Sequence, residues 1–78
     1  MPIAYVLINV QSEHKQKIYQ ELSKVEGIFE LHPLDGEYYD LIAKIETKSF
    51  ENIADIIKNK IRSIKGIIDT KTLTGTKF

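Results

Sequence analysis

The stretch Tyr39-Asp40-Leu41-Ile42-Ala43-Lys44-Ile45-Glu46-Thr47, residues 39–47, decides the fold. Its apolar residues Leu41, Ala43 and Ile45 alternate with more polar ones, which is the period of a β-strand with one buried face. A related stretch, Ile3-Ala4-Tyr5-Val6-Leu7-Ile8-Asn9-Val10, opens the chain, with Ile3 standing 39 positions before Ile42. The 78-residue chain is therefore predicted to contain the same structural unit twice.

The offset of 39 also relates the segments that follow each strand. The matched pairs are Ile3 and Ile42, Ala4 and Ala43, Val6 and Ile45, Ile18 and Ile57, Leu22 and Ile61, and Val25 and Ile64. The stop signals repeat as well, because Gly27 falls on Gly66 and glycine commonly ends a helix. Each half is thus predicted to be a strand, a helix and a second strand.

Local signals set the predicted bounds. Strands are predicted over 3–10, 28–34, 39–47 and 67–73, with Pro33 placing the second at an edge of the sheet. Ser12 and Ser49 are predicted helix N-caps. The predicted buried stripes are Ile18, Leu22 and Val25 in the first helix, and Phe50, Ile53, Ala54, Ile57, Ile61 and Ile64 in the second. A turn is predicted over residues 34–37.

Two βαβ units with right-handed crossovers interleave into one antiparallel sheet. We therefore predict an α+β, ferredoxin-like βαββαβ fold, with sheet order 4-1-3-2, both helices on one face and a single domain over residues 1–78. Leu41, Ala43 and Ile45 should face the helices. The offset assigns Ala4, Val6 and Ile8 to the same side.

The other face of the sheet, called here the helix-free face, should carry Ile3, Tyr5, Leu7 and Ile42. A soluble monomer seldom exposes such a contiguous apolar patch. A domain of this size also has a marginal core and contains no cysteine to form disulfides. We therefore expect a homodimer with the sheets packed face to face or edge to edge.

Composition favours some classes of function over others. Eleven basic and eleven acidic residues cancel, so nothing suggests nucleic acid or an anionic membrane surface as a partner. The sequence contains neither a signal-peptide pattern nor an apolar run long enough to span a bilayer, which favours a cytoplasmic protein. With no cysteine, no phosphate-binding glycine loop and only His14 and His32 as histidines, we expect no catalytic residue, metal or cofactor.

The segment Gly36-Glu37-Tyr38-Tyr39-Asp40 combines several groups that bind ligands. A glycine at a strand junction lets backbone approach a ligand, tyrosines offer flat surfaces with hydroxyls, and carboxylates hold an ammonium group. Alternation places Asp40 on the helix-free face, although a solvated hairpin turn explains the segment equally well. Thr70, Thr72 and Thr74 share one face of the last strand, where threonine is also common for structural reasons.

The whole chain resembles the effector-binding (RAM) domain of the Lrp/AsnC, or feast/famine, transcription regulators. The matching segments are Ala4-Tyr5-Val6-Leu7-Ile8-Asn9-Val10, Gly36-Glu37-Tyr38, Asp40-Leu41-Ile42-Ala43-Lys44-Ile45-Glu46, and Ile61-Arg62-Ser63-Ile64-Lys65-Gly66-Ile67 leading to Thr70 and Thr72. The resemblance implies sheet-to-sheet dimers, assembly into rings of dimers, and an amino acid bound between dimers near the loop that joins the second and third strands.

Carried over by residue, the resemblance assigns Asp40 to the ammonium group of the ligand and the backbone of Gly36 and Glu37 to its carboxylate. Thr70 and Thr72 match last-strand positions near the effector in some members. The family loop has one aromatic residue before its aspartate, whereas this chain has Tyr38 and Tyr39, so the loop departs from the pattern.

A second departure is the helix-turn-helix of typical members, which has no counterpart before the first strand. The resemblance therefore implies a stand-alone domain that modulates transcription without binding DNA itself, by ligand binding or by co-assembly with full-length regulators.

Two alternatives remain open from the sequence. A dimeric α/β-barrel enzyme, such as a small monooxygenase or isomerase, has the same fold and would need Asp40, Tyr5 or Asn9 as its acid or base in a closed cavity. A ligand-free assembly module for a longer regulator would need no site at all. Fold alone does not separate these functions.

Overall fold

Each half of the chain folds into a strand, a helix and a second strand, as the repeated pattern predicts. The computed structural model describes residues 2–75. The elements are β1 (Ile3–Val10), α1 (Lys15–Leu22), β2 (Ile28–Pro33), β3 (Leu41–Glu46), α2 (Phe50–Ile56) and β4 (Ile67–Thr74). A 3-10 turn over Ser12–His14 leads into α1, and a π-helical turn over Ile57–Ile61 continues α2.

The four strands form one antiparallel sheet in the order β2-β3-β1-β4. The central strands pair with Val6 opposite Ala43, and β4 pairs with Val6 through Thr72. This order and the two helices confirm the predicted ferredoxin-like fold. Pro33 is the last residue of edge strand β2, as predicted, since proline cannot donate to a ladder on both sides.

The core lies between the sheet and the helices. Its buried residues are Ala4, Val6, Ile8, Val10, Ile18, Leu22, Leu41, Ala43, Ile45, Ile53 and Ile61. Six of the seven strand residues in this set are those that alternation assigned to the helix side, and Val10 is the seventh. Each large side chain removed from water contributes about 1.5–3 kcal/mol, so this layer is the main source of stability.

The repeat extends to the turns that end the helices. The amide of Val25 donates to the carbonyl of Leu22 at 3.0 Å, and the bond between the equivalent residues 39 positions later measures 3.1 Å. Gly27 and Gly66 then both adopt φ +101°, a conformation that residues with a Cβ rarely adopt. The matched glycines of the two halves therefore have the same conformational requirement.

The predicted cap of the first helix is wrong. Ser12 makes no capping hydrogen bond and lies in the 3-10 turn, so α1 begins only at Lys15. The helix also ends at Leu22, before Val25, because turns occupy the following residues. Ser49, in contrast, caps α2 as predicted, since its hydroxyl accepts from the amide of Asn52 at 3.1 Å.

The predicted stripe of the second helix is only partly correct. Phe50 is 54% exposed and Ala54 is also exposed, because they lie beside the sheet edge formed by β4, where no further strand among residues 2–75 covers them. The Arg62 amide donates to the Ile57 carbonyl at 2.8 Å, five residues back, so the last turn is π-helical. Ile61 stays fully buried in that turn.

The helix-free face carries the predicted apolar residues. Ile3, Leu7 and Ile42 are half-buried and Tyr5 is 40% exposed. Leu73, which the sequence analysis did not include, pairs with Tyr5 and is 47% exposed. These five residues form a central apolar strip on the sheet.

Charged side chains flank this strip on β2 and β3. Glu30 lies 3.2 Å from His32 Nε2 and 3.4 Å from Lys44 Nζ. The hydrogen bonds from His32 and then Lys44 lower the pKa of Glu30 below its ordinary value. The face thus has an apolar centre with a charged border.

Candidate functional site

The loop over residues 34–40 joins β2 to β3 at one end of the sheet. The amide of Leu34 donates to the carbonyl of Asp40 at 2.7 Å, which closes the loop on itself. The amide of Asp40 donates to the carbonyl of Ile8 at 2.8 Å, which fixes the loop to β1. Two backbone hydrogen bonds therefore hold Asp40 beside the ends of both central strands.

The carboxylate of Asp40 has partners within the chain. Its Oδ2 accepts from the backbone amide of Val10 at 2.9 Å, and its Oδ1 lies 3.7 Å from Lys15 Nζ at the start of α1. The prediction that alternation carries Asp40 onto the helix-free face does not hold, because β3 begins only at Leu41. The Asp40 side chain is 28% exposed and that of Lys15 is 46% exposed, so the pair lies at the surface.

The two residues before Asp40 are tyrosines, and their rings contact each other. The rings of Tyr38 and Tyr39 meet edge to face, with centroids 4.8 Å apart and planes at 85°. The hydroxyl of Tyr38 donates to Asp69 Oδ2 on β4 at 3.1 Å. Tyr38 therefore ties the loop to the edge strand on the opposite side of the sheet from β2.

Sequence reasoning missed Asp69. The predicted polar residues of the last strand were Thr70 and Thr72, which lie on its helix side. Asp69 pairs with Asn9 and therefore lies on the opposite face of β4. The sequence does contain a signal for Asp69, because Asp69 and Lys71 are two positions apart near the start of the strand and so lie on the same face. Its Oδ1 also accepts from the amide of Thr70 at 2.9 Å, so its position is fixed.

The charge on Asp69 affects the neighbouring tyrosine. Partial burial raises the pKa of Tyr39 above its ordinary value, and the nearby charge of Asp69 raises it further. We predict that Asp69→Asn lowers the pKa of Tyr39. Carbon NMR titration of the tyrosine Cζ resonances, which distinguishes the four tyrosines, measures this directly. A Tyr39 titration that is the same in Asp69→Asn and in the control Asp35→Asn would contradict it.

Gly36 and Glu37 lie in the exposed part of the loop, which covers residues 35–38. A Cβ on Gly36 would lie 3.3 Å from the carbonyl oxygen of Tyr39, so a close backbone approach within the loop already favours glycine there. Gly36 does not have a positive φ. The backbone at Gly36 and Glu37 is accessible from solvent.

Thr70 and Thr72 lie elsewhere in the protomer. They pair with Ile8 and Val6, which face the helices, so both threonines are on the helix side of β4. Thr70 Oγ1 accepts from Arg62 Nε at 3.0 Å. The structure thus brings Tyr38, Tyr39, Asp40 and Asp69 to one end of the sheet and separates Thr70 and Thr72 from them.

Within residues 2–75, no three acidic, histidine or cysteine side chains are grouped closely enough to hold a metal ion. Neither helix in that range reaches the length and hydrophobicity that a membrane span requires.

Comparison with known proteins identifies the family. Residues 3–76 match the family model described as the Lrp/AsnC ligand binding domain. An uncharacterised HTH-type transcriptional regulator of Pyrococcus furiosus is 29% identical over 75 residues, covering 92% of this chain and 49% of the relative. This chain therefore spans about half the length of the curated relatives it matches.

Solved structures agree with the fold. A crystal structure from Thermus thermophilus superimposes with a TM-score of 0.93 at 27% identity and covers 100% of this chain and 96% of that one. The L-Met complex of a transcriptional regulator from Neisseria meningitidis gives 0.86 at 13% identity, covering 97% of this chain and 50% of that one, and shows the fold alone. Family and relatives point to a regulatory domain rather than an enzyme. The chain belongs to the Lrp/AsnC ligand binding domain family.

Proposed function

We propose that this domain binds an amino acid at the loop over residues 36–40 and modulates transcription through the assembly that it forms. The bound molecule is a small zwitterion, and the domain carries out no chemical reaction on it. The assembly is a homodimer through the helix-free face, which associates further into rings of dimers.

The observation that carries this proposal is the setting of Asp40. One carboxylate oxygen is fixed by the Val10 amide, which orients the group, while the other faces the ammonium group of Lys15 at 3.7 Å. Lys15 is 46% exposed and can swing into water. An ammonium group already approaches Asp40 Oδ1 within the chain, so the α-ammonium of an amino acid has the right charge and size to replace it.

The remaining groups of the ligand are matched by the same loop. The accessible backbone at Gly36 and Glu37 supplies amides for the ligand carboxylate, and Tyr38 and Tyr39 supply flat surface for its side chain. Thr70 and Thr72 face the opposite side of β4 in the same protomer. In this proposal they contribute to a ligand only from a neighbouring protomer.

The relatives support the ligand class and the regulatory role. The Neisseria meningitidis regulator forms a complex with L-Met, an amino acid, and shares this fold. The curated relatives are named as HTH-type regulators and are about twice as long as the matched region. We propose that this chain acts in the cytoplasm by co-assembling with such full-length regulators and does not itself bind DNA, in agreement with its zero formal net charge.

Calorimetric titration with each standard amino acid tests this function. We expect binding heat with at least one of them. Asp40→Asn should weaken that binding roughly ten- to hundredfold, because a hydrogen bond to a charged group contributes about 1.5–3 kcal/mol. Asparagine can still accept from the Val10 amide, so the loop should keep its shape.

Asp35→Asn is the matched control, since it makes the same chemical change at an exposed position of the same loop. It should leave the affinity unchanged. No heat with any amino acid would contradict the proposal and would favour a ligand-free assembly module. Equal affinities for Asp40→Asn and Asp35→Asn would exclude Asp40 as the ammonium partner.

A further inference from the structure

An open groove of about 570 Å³ runs between α2 with its π-helical turn and the outer edge of β4. Its lining residues are Phe50, Ile53, Ala54, Ile57, Lys58, Arg62, Thr70, Thr72 and Thr74. The floor is apolar, and the side formed by β4 presents threonine hydroxyls at every second residue. The groove is separate from the loop over residues 36–40.

The strand beside this groove is an unpaired edge. β4 has eight residues and pairs only with β1 among the described strands. Its other side therefore presents backbone N–H and C=O groups without a strand partner, which is a template for adding another strand. Thr70, Thr72 and Thr74 pair with helix-facing residues of β1, so a strand added here would place alternate side chains over the groove.

The internal repeat supplies a comparison with the other edge of the sheet. There, Tyr19 of α1 lies over β2 with its hydroxyl 3.5 Å from the carbonyl of Leu31, and Pro33 cannot donate a hydrogen bond. In the second half of the repeat, 39 positions later, Lys58 occupies the position equivalent to Tyr19, and Thr72 occupies the position equivalent to Pro33. The two features that obstruct the β2 edge are therefore absent from β4.

Charge indicates what the groove accepts. Lys58 and Arg62 line it, and no acidic residue within 2–75 does. The hydrogen bond to Thr70 holds Arg62 at the rim. Pairing two β4 edges of this chain would bring both copies of Lys58 and Arg62 into one groove, where like charges repel. The groove is therefore complementary to an acidic partner rather than to itself.

We propose that β4 and α2 form a docking groove for an extended, acidic segment of another protein. The segment adds to the sheet as a fifth strand beside β4. Its alternate apolar side chains cover Phe50 and Ile57, and one carboxylate pairs with Arg62. The interaction does not use the loop over residues 36–40, but it covers Thr70 and Thr72 and so competes with any contact that they make to a ligand held by a neighbouring protomer.

The test is an NMR titration of the isotope-labelled full chain with a capped synthetic peptide as long as β4, in which valine alternates with threonine and one end carries aspartate. We expect amide shifts along residues 70–74 and 57–62 and none in residues 36–40. A peptide with lysine in place of aspartate should bind at least about tenfold more weakly, because it reverses the charge that faces Arg62.

Two variants of the protein complete the test. Arg62→Glu should weaken peptide binding about tenfold or more, whereas the matched charge reversal Lys17→Glu, at an exposed position of α1 outside the groove, should not. Thr72→Pro, which copies the obstruction at Pro33, should abolish binding. Circular dichroism of each variant identifies any loss of fold, and Arg62→Glu is decisive if Thr72→Pro unfolds.

Several results would overturn the proposal. The first is a peptide titration that shifts no amide resonance of β4, and the second is one that shifts only residues 36–40. The third is equal affinity of Arg62→Glu and Lys17→Glu for the peptide. Peptide binding only after removal of residues 76–78 would assign the groove to that segment of the chain. Shifts on β4 that follow protein concentration without peptide would assign it to a second copy.

Discussion

Leu7→Glu is expected to convert the protein from a dimer into a folded monomer. Leu7 lies at the centre of the helix-free face, opposite Ile42 on β3 and half-buried in the single chain. In the proposed sheet-to-sheet dimer its side chain is covered by the partner. A carboxylate there must lose its hydration, which costs several kcal/mol, and Lys71, its neighbour on β4, offsets only part of this cost.

We expect the dimer dissociation constant to rise roughly a thousandfold, which corresponds to about 4 kcal/mol. Sedimentation velocity at micromolar concentration measures the change, and circular dichroism verifies that the chain remains folded. Phe50→Glu is the matched control, because Phe50 is 54% exposed and lies on α2, away from this face. If Leu7→Glu and Phe50→Glu sediment as the same species, the helix-free face is not the interface.

Gly66→Ala is expected to be strongly destabilising. The residue has φ +101°, where a side chain introduces strain of about 1–3 kcal/mol. An added Cβ would also lie 2.9 Å from Ile18 Cδ1 and 3.0 Å from His14 Cβ. Ile18 is fully buried, so relieving the contact means shifting packed atoms, at a further cost of about 1–3 kcal/mol.

The total of about 2–6 kcal/mol is comparable to the whole stability of a domain this small. Urea denaturation followed by circular dichroism measures it. Gly75→Ala is the control, because its added Cβ would meet nothing closer than the Ile3 carbonyl oxygen at 3.6 Å and its φ is not positive. Matching denaturation midpoints for Gly66→Ala and Gly75→Ala would contradict the account of the turn.

The fold could be predicted because the repeat encodes it through local signals. Strand alternation identified the inward residues of β1 and β3, and the two glycines marked equivalent turns. The errors occurred where tertiary context overrides a local pattern. Ser12 is a good cap residue, yet the chain enters α1 through a 3-10 turn, and Phe50 keeps helical spacing although it lies at an uncovered sheet edge.

The candidate site was less predictable. Segment 36–40 was selected for its residue types, but alternation misplaced the side chain of Asp40 because strand geometry does not extend one residue beyond β3. Asp40 contacts Val10, which is 30 positions away in the sequence, and Lys15, which is 25 positions away. No sequence periodicity relates these residues. The hydrogen bond between Tyr38 and Asp69 likewise joins residues that are 31 positions apart.

The central claim is that an assembly of this domain retains an amino acid. Native mass spectrometry of the purified chain, with and without a pool of amino acids, tests it most directly because it reports oligomer mass and bound ligand together. We predict an even-numbered oligomer whose mass increases by that of an amino acid. A bare monomer whose mass is unchanged by the pool would contradict the account.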